Sequence, residues 1–494
     1  LSVWGHLIHS GLQHERGWIF RMTSISTRST EHKTNRTEST PVSGVASFVA
    51  LIAICLGFFM VILDTTIVNV ALPAIRQQFA TNTTGQQWIV DGYTLFFAAL
   101  LLTAGALSEQ LGARRVFLAG LVLFTLASAL CGAAPVLWLL QLTRLIQGIG
   151  AALLVPGSLT LLSQTFPEAK AQARAIGLWG GMGGIAASVG PVAGGLLVDT
   201  LGWRSIFFVN VPVGIIAFAL TLRAVPAFVR LRGANGEARR LDLPGQLLGM
   251  ATLALFTLAC IQGNQWSWGS PAILGALAGG VAALCSFLLW ERHTSTPMLP
   301  LRLFGSPTFS TGNTVGFLIN FGFYGQLFII NLYFQQLRGY SALLTGLALL
   351  PETGMVLIGA ALSGRVAAQV GPRIPMAIGL ALGGSGLLAL TIAGAETNYL
   401  ALCVLLLIVG FGMSFTMPAM TVAVMSSAPR ERAGIASALL NASRQVGSVL
   451  GVAALGAFVG QQASFVSGMR MAMLGAGAAF LIGCALTLRF VRHA

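Results

Sequence analysis

Charge is what this sequence has least of. Only 9% of its 494 residues are Asp, Glu, Lys or Arg, while 55% are apolar, and the mean hydropathy is +0.81. A soluble globular chain carries about 25% charged residues. A larger core cannot absorb the deficit, because surface grows with size too, so a water-soluble fold is excluded. Histidine is scarce as well. All six (His6, His9, His14, His32, His293 and His493) fall in tails or a loop, which excludes a histidine proton relay at membrane depth. The six cysteines (Cys55, Cys131, Cys260, Cys285, Cys403, Cys484) have neither disulfide nor metal spacing and read as small core residues. No metal or other cofactor is expected. Without embedded histidine, or carboxylates paired at ligand spacing, an intramembrane enzyme lacks its chemistry.

What the sequence does have is long uncharged runs, repeatedly exceeding the ~20 residues that cross a bilayer. A membrane barrel would instead alternate polar and apolar residues at every second position. The expected fold is all-α and polytopic, with fourteen helices at 46–74, 86–107, 116–133, 137–164, 174–198, 203–223, 243–262, 271–290, 309–334, 341–363, 374–394, 399–426, 433–460 and 466–489. The net charge of +14 would suit nucleic acid if it were clustered on a soluble face, but its distribution points elsewhere. Of 28 Lys and Arg, 22 fall in the tails and the loops on the same side, and four (Arg76, Arg204, Arg338, Arg470) on the other; Arg144 and Arg444 lie within helices. This positive-inside asymmetry puts both termini in the cytoplasm, and no nucleic-acid partner is expected.

Residues 1–45 are polar and lack the continuous apolar core of a signal peptide. They read as a disordered cytoplasmic tail. The first methionine is Met22, so residues 1–21 read as an over-extended translation start or a genuine extension. The cytoplasmic loop 224–242, "AVPAFVRLRGANGEARRLD", is the other segment expected to be mobile.

An internal repeat organises the rest. "GALSEQLGARR" at 105–115 aligns with "GRVAAQVGPR" at 364–373, pairing Gly105 with Gly364, Gly112 with Gly371 and Arg114 with Arg373 at an offset of 259. "PEAKAQARAIG" and "PRERAGIAS" recur at nearly the same offset. The expected domains are therefore a six-helix bundle at 46–223, a spacer pair of helices at 243–290, a cytoplasmic loop at 291–308, a second six-helix bundle at 309–489 and a short tail at 490–494. Parallel six-helix repeats suggest a transporter with its substrate site between the halves.

Four segments in order, "LDTTIVNVALP" (63–73), "GALSEQLGARR" (105–115), "LTRLIQGIGAA" (142–152) and "GLWGGMGGIAASVGPVAGG" (177–195), together with "WRSIFFVNVPVG" (203–214), resemble the major facilitator superfamily in its fourteen-span drug:proton antiporter branch. The resemblance covers nearly the whole chain after residue 45. It implies a proton-coupled exporter of amphipathic, cationic drugs or antibiotics, in a bacterial cytoplasmic membrane and expected as a monomer. Its partners would be drug, protons and the lipid bilayer. The alternative within transport is a proton symporter importing a nutrient or siderophore. The second segment departs from the family pattern G-x-L-x-D-R-x-G-R-R, with Glu109 for the acid, Gln110 for the arginine after it and Ala113 for a later one. Gly105, Glu109, Gly112, Arg114 and Arg115 would form the cytoplasmic gating motif. Gly184, Gly190, Pro191 and Gly195 would form an antiporter hinge.

Five ionisable residues lie inside the helices away from their ends: Asp64, Asp91, Arg144, Glu352 and Arg444. Each costs about 2.5–3.5 kcal/mol on insertion scales. Asp64 stands eighteen residues into its helix, about 27 Å of rise, and Arg144 about 10 Å in from the opposite face, so their levels overlap. Two readings follow: a buried ion pair fixing two helices, or a proton switch. Burial penalises the carboxylate's charge and a nearby guanidinium favours it, so a change in separation would load or release a proton. The resemblance favours the switch. Asp91, about 7 Å from the outer surface, would meet water or end a proton path. Glu352 follows Pro351 near the middle of its helix and would either contact a cationic substrate or pair with Arg444 at similar depth. Gly177, Gly181, Gly184, Ser188, Pro191 and Gly195, spaced 4, 3, 4, 3, 4, form a seam for close helix approach. Trp203 is expected as an interfacial anchor.

Overall fold

In a computed structural model of the chain, the described residues are 44–226, 242–294, 297–429, 432–461 and 465–491. The polar tail, up to residue 43, and most of the loop 224–242 lie outside them. The described residues contain fourteen helices long and apolar enough to cross a membrane. In hydrocarbon a backbone must satisfy its own polar groups, and the helix does so within one segment.

The first six are α1 (Gly44–Phe79), α2 (Thr83–Leu111), α3 (Ala113–Ala133), α4 (Leu137–Thr165), α5 (Ala169–Leu201) and α6 (Ser205–Ala224). Then come α7 (Leu243–Trp266) and α8 (Pro271–His293). The last six are α9 (Pro307–Leu337), α10 (Ala342–Val370), α11 (Arg373–Ile392), α12 (Tyr399–Ser426), α13 (Ala433–Gln461) and α14 (Phe465–Phe490). Several run past the ends expected from sequence. α5 begins at Ala169 rather than 174, and α8 continues to His293 rather than 290. Lys170, Glu291 and Arg292 end an apolar run, yet they remain helical beyond it.

Two of these helices, α6 and α10, are interrupted. α6 breaks at Val209, and α9 closes with a π-turn at Tyr333–Leu337. α10 divides at Leu349 into Ala342–Ala348 and Leu350–Val370. Pro351, in the first turn of the second piece, has no N–H to continue the ladder.

The repeat appears as repeated packing. α1 packs on α5 and α6 as α9 packs on α13 and α14; α2 packs on α4 as α10 packs on α12; α3 packs on α4 and α6 as α11 packs on α12 and α14. Gly112 and Gly371, aligned by the repeat, both take positive φ (93° and 77°) in the turns after α2 and α10. Only glycine adopts that conformation freely. Their companions match as well: Arg114 Nη2 donates to Leu222 O at the end of α6 (2.8 Å), and Arg373 Nη2 to Leu488 O at the end of α14. A cation placed on the last carbonyls of a helix satisfies orphan acceptors. The halves meet along two seams, α2 against α13 and α5 against α10. The α7–α8 hairpin covers the first, with Gln246 Nε2 donating to Ala99 O of α2 (2.8 Å) and Asn264 Nδ2 to Ala457 O of α13 (2.5 Å).

Candidate transport site

Asp64 and Arg144 meet. The Arg144 Nη1 donates to Asp64 Oδ2 at 2.5 Å, with the two residues 1% and 0% exposed. This is the one ion pair among the described residues. The pair is embedded in a network that sequence reasoning missed. Asp64 Oδ1 accepts from Gln147 Nε2 (2.9 Å) and Asn210 Nδ2 (3.2 Å). Both amides also donate to Ser128 Oγ, at 3.2 and 3.0 Å, and that hydroxyl donates to Phe207 O. Arg144 Nη1 is shared with Gln147 Oε1 (2.8 Å), Nε donates to Ile89 O (3.0 Å), and the guanidinium lies 4.3 Å from the Tyr93 ring centroid. Gln147 follows Arg144 by three residues and shares its face of α4. Asn210 begins the second piece of α6, just after the break at Val209. Two helices thus donate to the carboxylate of a third, α4 and α6 to α1, while α2 joins through Arg144 and α3 through Ser128.

Asp91 does not reach water. It is 0% exposed, and neither carboxylate oxygen has a hydrogen-bond partner. One turn earlier on the same face of α2, Gln87 Nε2 donates across the seam to Val452 O and Ala453 O of α13, both at 3.0 Å. Asp91 therefore sits in the sealed seam between the halves, because the counted depth of 7 Å took no account of the helices packed over it.

Glu352 and Arg444 do not pair. Glu352 is 0% exposed, and its Oε2 accepts from Gln326 Nε2 of α9 at 3.4 Å. Arg444 Nη1 donates weakly to Asn441 Oδ1 (3.4 Å), and Nη2 approaches Met417 Sδ (3.9 Å). Equal depth did not bring them together, since depth along a helix leaves its facing direction open.

A cleft of about 280 Å³ lies between α2, α4 and α13, at the end of the molecule that carries Gly44 and Phe490. Gly105 and Glu109 line it beside Pro156, Asp242, Gly434 and Asn441. Arg115 is exposed beyond it. The opposite end is closed. Asp199 of α5 accepts from the N–H groups of Ala342 (3.3 Å) and Leu343 (2.9 Å), and Arg76 Nη1 donates to Gln336 Oε1 (3.0 Å). The small-residue seam of α5 divides accordingly. Gly184 faces Leu357 of α10, Ser188 Oγ donates to Thr353 O (2.6 Å), and Gly195 abuts the backbone of Ala342 and Leu343. Pro191 abuts Gly346, while Gly190 fits against Thr66 of α1. Gly177 and Gly181 have nothing within 4 Å of where a Cβ would stand. The predicted seam is thus zipped along its closed-end half and parted along the other. α5 itself runs unbroken through Pro191. Trp203 is only 4% exposed, its Nε1 donating to Gln78 Oε1 at 2.6 Å, so it packs inside rather than anchoring at an interface.

Comparison with known families matches residues 54–452 to the Major Facilitator Superfamily, and residues 355–494 match it again. The chain belongs to the major facilitator superfamily. As a major facilitator protein it is a multi-pass membrane transporter rather than an enzyme. Among relatives, it is 38% identical over 451 residues to the methylenomycin A resistance protein of Streptomyces coelicolor, covering 91% of this chain and 94% of that one. It is 36% identical over 421 residues to the tetracenomycin C resistance and export protein of Streptomyces glaucescens, covering 84% and 77%. Its fold is shared with a bacterial homolog of the human lysosomal transporter Spinster, with a TM-score of 0.63, 17% identity, and coverage of 91% and 98%.

Proposed function

We propose that this major facilitator protein is a proton-coupled antiporter that exports amphipathic antibiotics, cationic ones included, across a bacterial cytoplasmic membrane. The export reading is supported by the resistance and export activities named in its relatives. The end carrying Gly44 and Phe490 faces the cytoplasm on this reading, as the excess of Lys and Arg on that side favours. Cargo then loads from the cytoplasm into the open cleft.

The observation that carries the coupling is the Asp64 network. An acid that holds α1 against α4 and α6 through an ion pair and two amides links proton binding to helix position. Asp64 takes the proton, Arg144 competes with it, and Asp91 is a second acid in the seam that must part when the other side opens. Glu352 and Arg444 serve the cargo. Gly105, Glu109, Gly112, Arg114 and Arg115 set the cytoplasmic gate, and Gly184, Gly190, Pro191 and Gly195 the opposite one. Proton entry gains about 2.3 kcal/mol per charge for each 100 mV of membrane potential.

The test uses everted membrane vesicles with an acidified lumen and a fluorescent pH probe. Adding methylenomycin A or ethidium outside should let protons leave as drug enters, raising lumenal pH. No change in lumenal pH while drug accumulates would overturn proton antiport, and no drug accumulation would overturn export.

A further inference from the structure

Arg444 is the embedded cation that the Asp64 network does not use. The α13 residues lining the cleft include Gly434, Ser437 and Asn441. Steps of three and four residues keep to one helix face, and the next step lands on Arg444. It stands ten residues past Gly434, about 15 Å of rise, one step along that face beyond Asn441, the last α13 residue that lines the cleft. The residue is half-buried, and its Nε is buried.

Its surroundings offer no anion. The guanidinium contacts two neutral atoms, Asn441 Oδ1 and Met417 Sδ, and its Nε has no acceptor. None of the embedded acids forms an ion pair with it: Asp64 is bound to Arg144, Glu352 meets Gln326, and Asp91 stands in the α2–α13 seam with neither oxygen hydrogen-bonded. Gly316 of α9 makes room for the stem, since a Cβ there would lie 3.3 Å from Arg444 Cγ. A guanidinium held out of water without a counter-charge is costly, and its planar fork of donors matches a carboxylate.

We propose that Arg444, with Asn441 beside it, docks an anionic oxygen group of the cargo, a carboxylate or an enolate. Leu102, Val155, Leu159 and Ile435, which line the same cleft, take the apolar remainder. The carrier therefore accepts amphipathic acids as well as cationic compounds. Of the cleft's own acids, Glu109 is exposed, where water and salt screen it, and Asp242 is buried, its Oδ1 turned to the Gly245 N–H and the Trp290 Nε1. This inference rests on the cleft being the cargo site of an exporter.

The experiment is equilibrium binding to the full-length protein in nanodiscs, with 7-methoxycoumarin-4-acetic acid and its methyl ester as fluorescent probes. The wild type should bind the acid about tenfold or more tighter than the ester, the size of a charge-assisted hydrogen bond. Arg444→Gln should abolish that preference while holding ester affinity within about twofold. Arg444→Lys, the variant to read if the glutamine protein does not fold, should reduce the preference without removing it. Acid binding unchanged in either variant overturns the proposal. Equal loss of both probes also overturns it, assigning Arg444 to packing. No proton gradient is present, so failure of proton antiport in vesicles would leave this result standing, and failure here would leave antiport standing.

Discussion

Replacing Asp64 by asparagine keeps size and polarity but removes the charge. The bonding pattern shows what else it removes. One carboxylate oxygen accepts from Arg144 and the other from Gln147 and Asn210; an amide has only one oxygen. Turned one way, its NH2 group faces the Arg144 donor. Turned the other way, it faces two amide donors, and Gln147 cannot simply reverse because its own Oε1 accepts from Arg144. Either arrangement leaves donors opposed in a site at most 1% exposed. Removing one partner of a buried ion pair costs about 3–5 kcal/mol, and Asp64→Asn should lose about that much stability. A fall in transport by this variant alone would then have two explanations.

The double variant Asp64→Asn, Arg144→Gln separates them. With no cation left unpaired, most of the penalty disappears, because exchanging both partners of a buried pair for neutral groups is often close to neutral. The assays are thermal unfolding of the purified proteins and the drug-induced rise in lumenal pH of everted vesicles. The single variant should melt early and show no pH response. The double variant should regain most of the melting temperature and still show none. Wild-type proton exchange by the double variant would refute the reasoning and leave the pair as a strut between α1 and α4.

Arg144→Lys keeps the charge, but Arg144 meets the Ile89 carbonyl through Nε and Asp64 and Gln147 through Nη1, two separate positions that a single ammonium does not reproduce. Losing a charged hydrogen bond costs about 1.5–3 kcal/mol, and drug-driven proton exchange at matched abundance should fall about tenfold or more; an unchanged rate would dismiss the fork geometry. Gly195→Leu would place a side chain on the backbone of Ala342 and Leu343, so spin labels on the closed ends of α5 and α10 should move apart. Unchanged label distances would show that this contact does not hold the end shut. Glu352→Gln should weaken efflux of a cationic dye and largely spare a neutral antibiotic, because Coulomb attraction at low dielectric favours the cation. Equal loss of both would move Glu352 to coupling or stability.

The helices were legible because uncharged runs of about 20 residues have few other uses, whereas their ends were not. A charge such as Lys170 or Arg292 leaves the hydrocarbon while its backbone stays helical. Counting residues from opposite membrane faces brought Asp64 and Arg144 to one level, and they are bonded. The same count brought Glu352 level with Arg444, and they are not, because level fixes height and leaves direction around the helix axis unset. Gln147, Asn210 and Ser128 stayed hidden for a different reason. An amide or hydroxyl in a membrane helix costs far less than a charge, so each is one polar residue among many until its partners are seen. The glycine spacing of α5 identified the contact face, but how much of that face is zipped depends on which end is open.

The two halves share a scaffold but place their charges differently. The first carries its embedded pair on α1 and α4; their counterparts by packing, α9 and α12, contain no charged residue. The second carries Glu352 on α10 and Arg444 on α13 and leaves them unpaired. On the proposed reading, the proton belongs to one bundle and the cargo to the other, so they do not compete for one group and coupling must cross a seam. The α2–α13 seam offers continuous contact. Arg144 Nε holds the Ile89 carbonyl of α2, Gln87 two residues earlier holds Val452 and Ala453 of α13, and Arg444 lies eight residues before Val452, about 12 Å along that helix. A shift of Arg144 on gain or loss of its anion would pull on α2 where α2 is tied to the cargo helix. Replacing Gln87 by leucine cuts that tie while leaving both charge sites intact. If the seam transmits coupling, the variant should still bind cargo but exchange fewer protons per drug exported, measured as the lumenal pH change against drug accumulated in the same everted vesicles. An unchanged ratio would mean that the halves communicate without this bond.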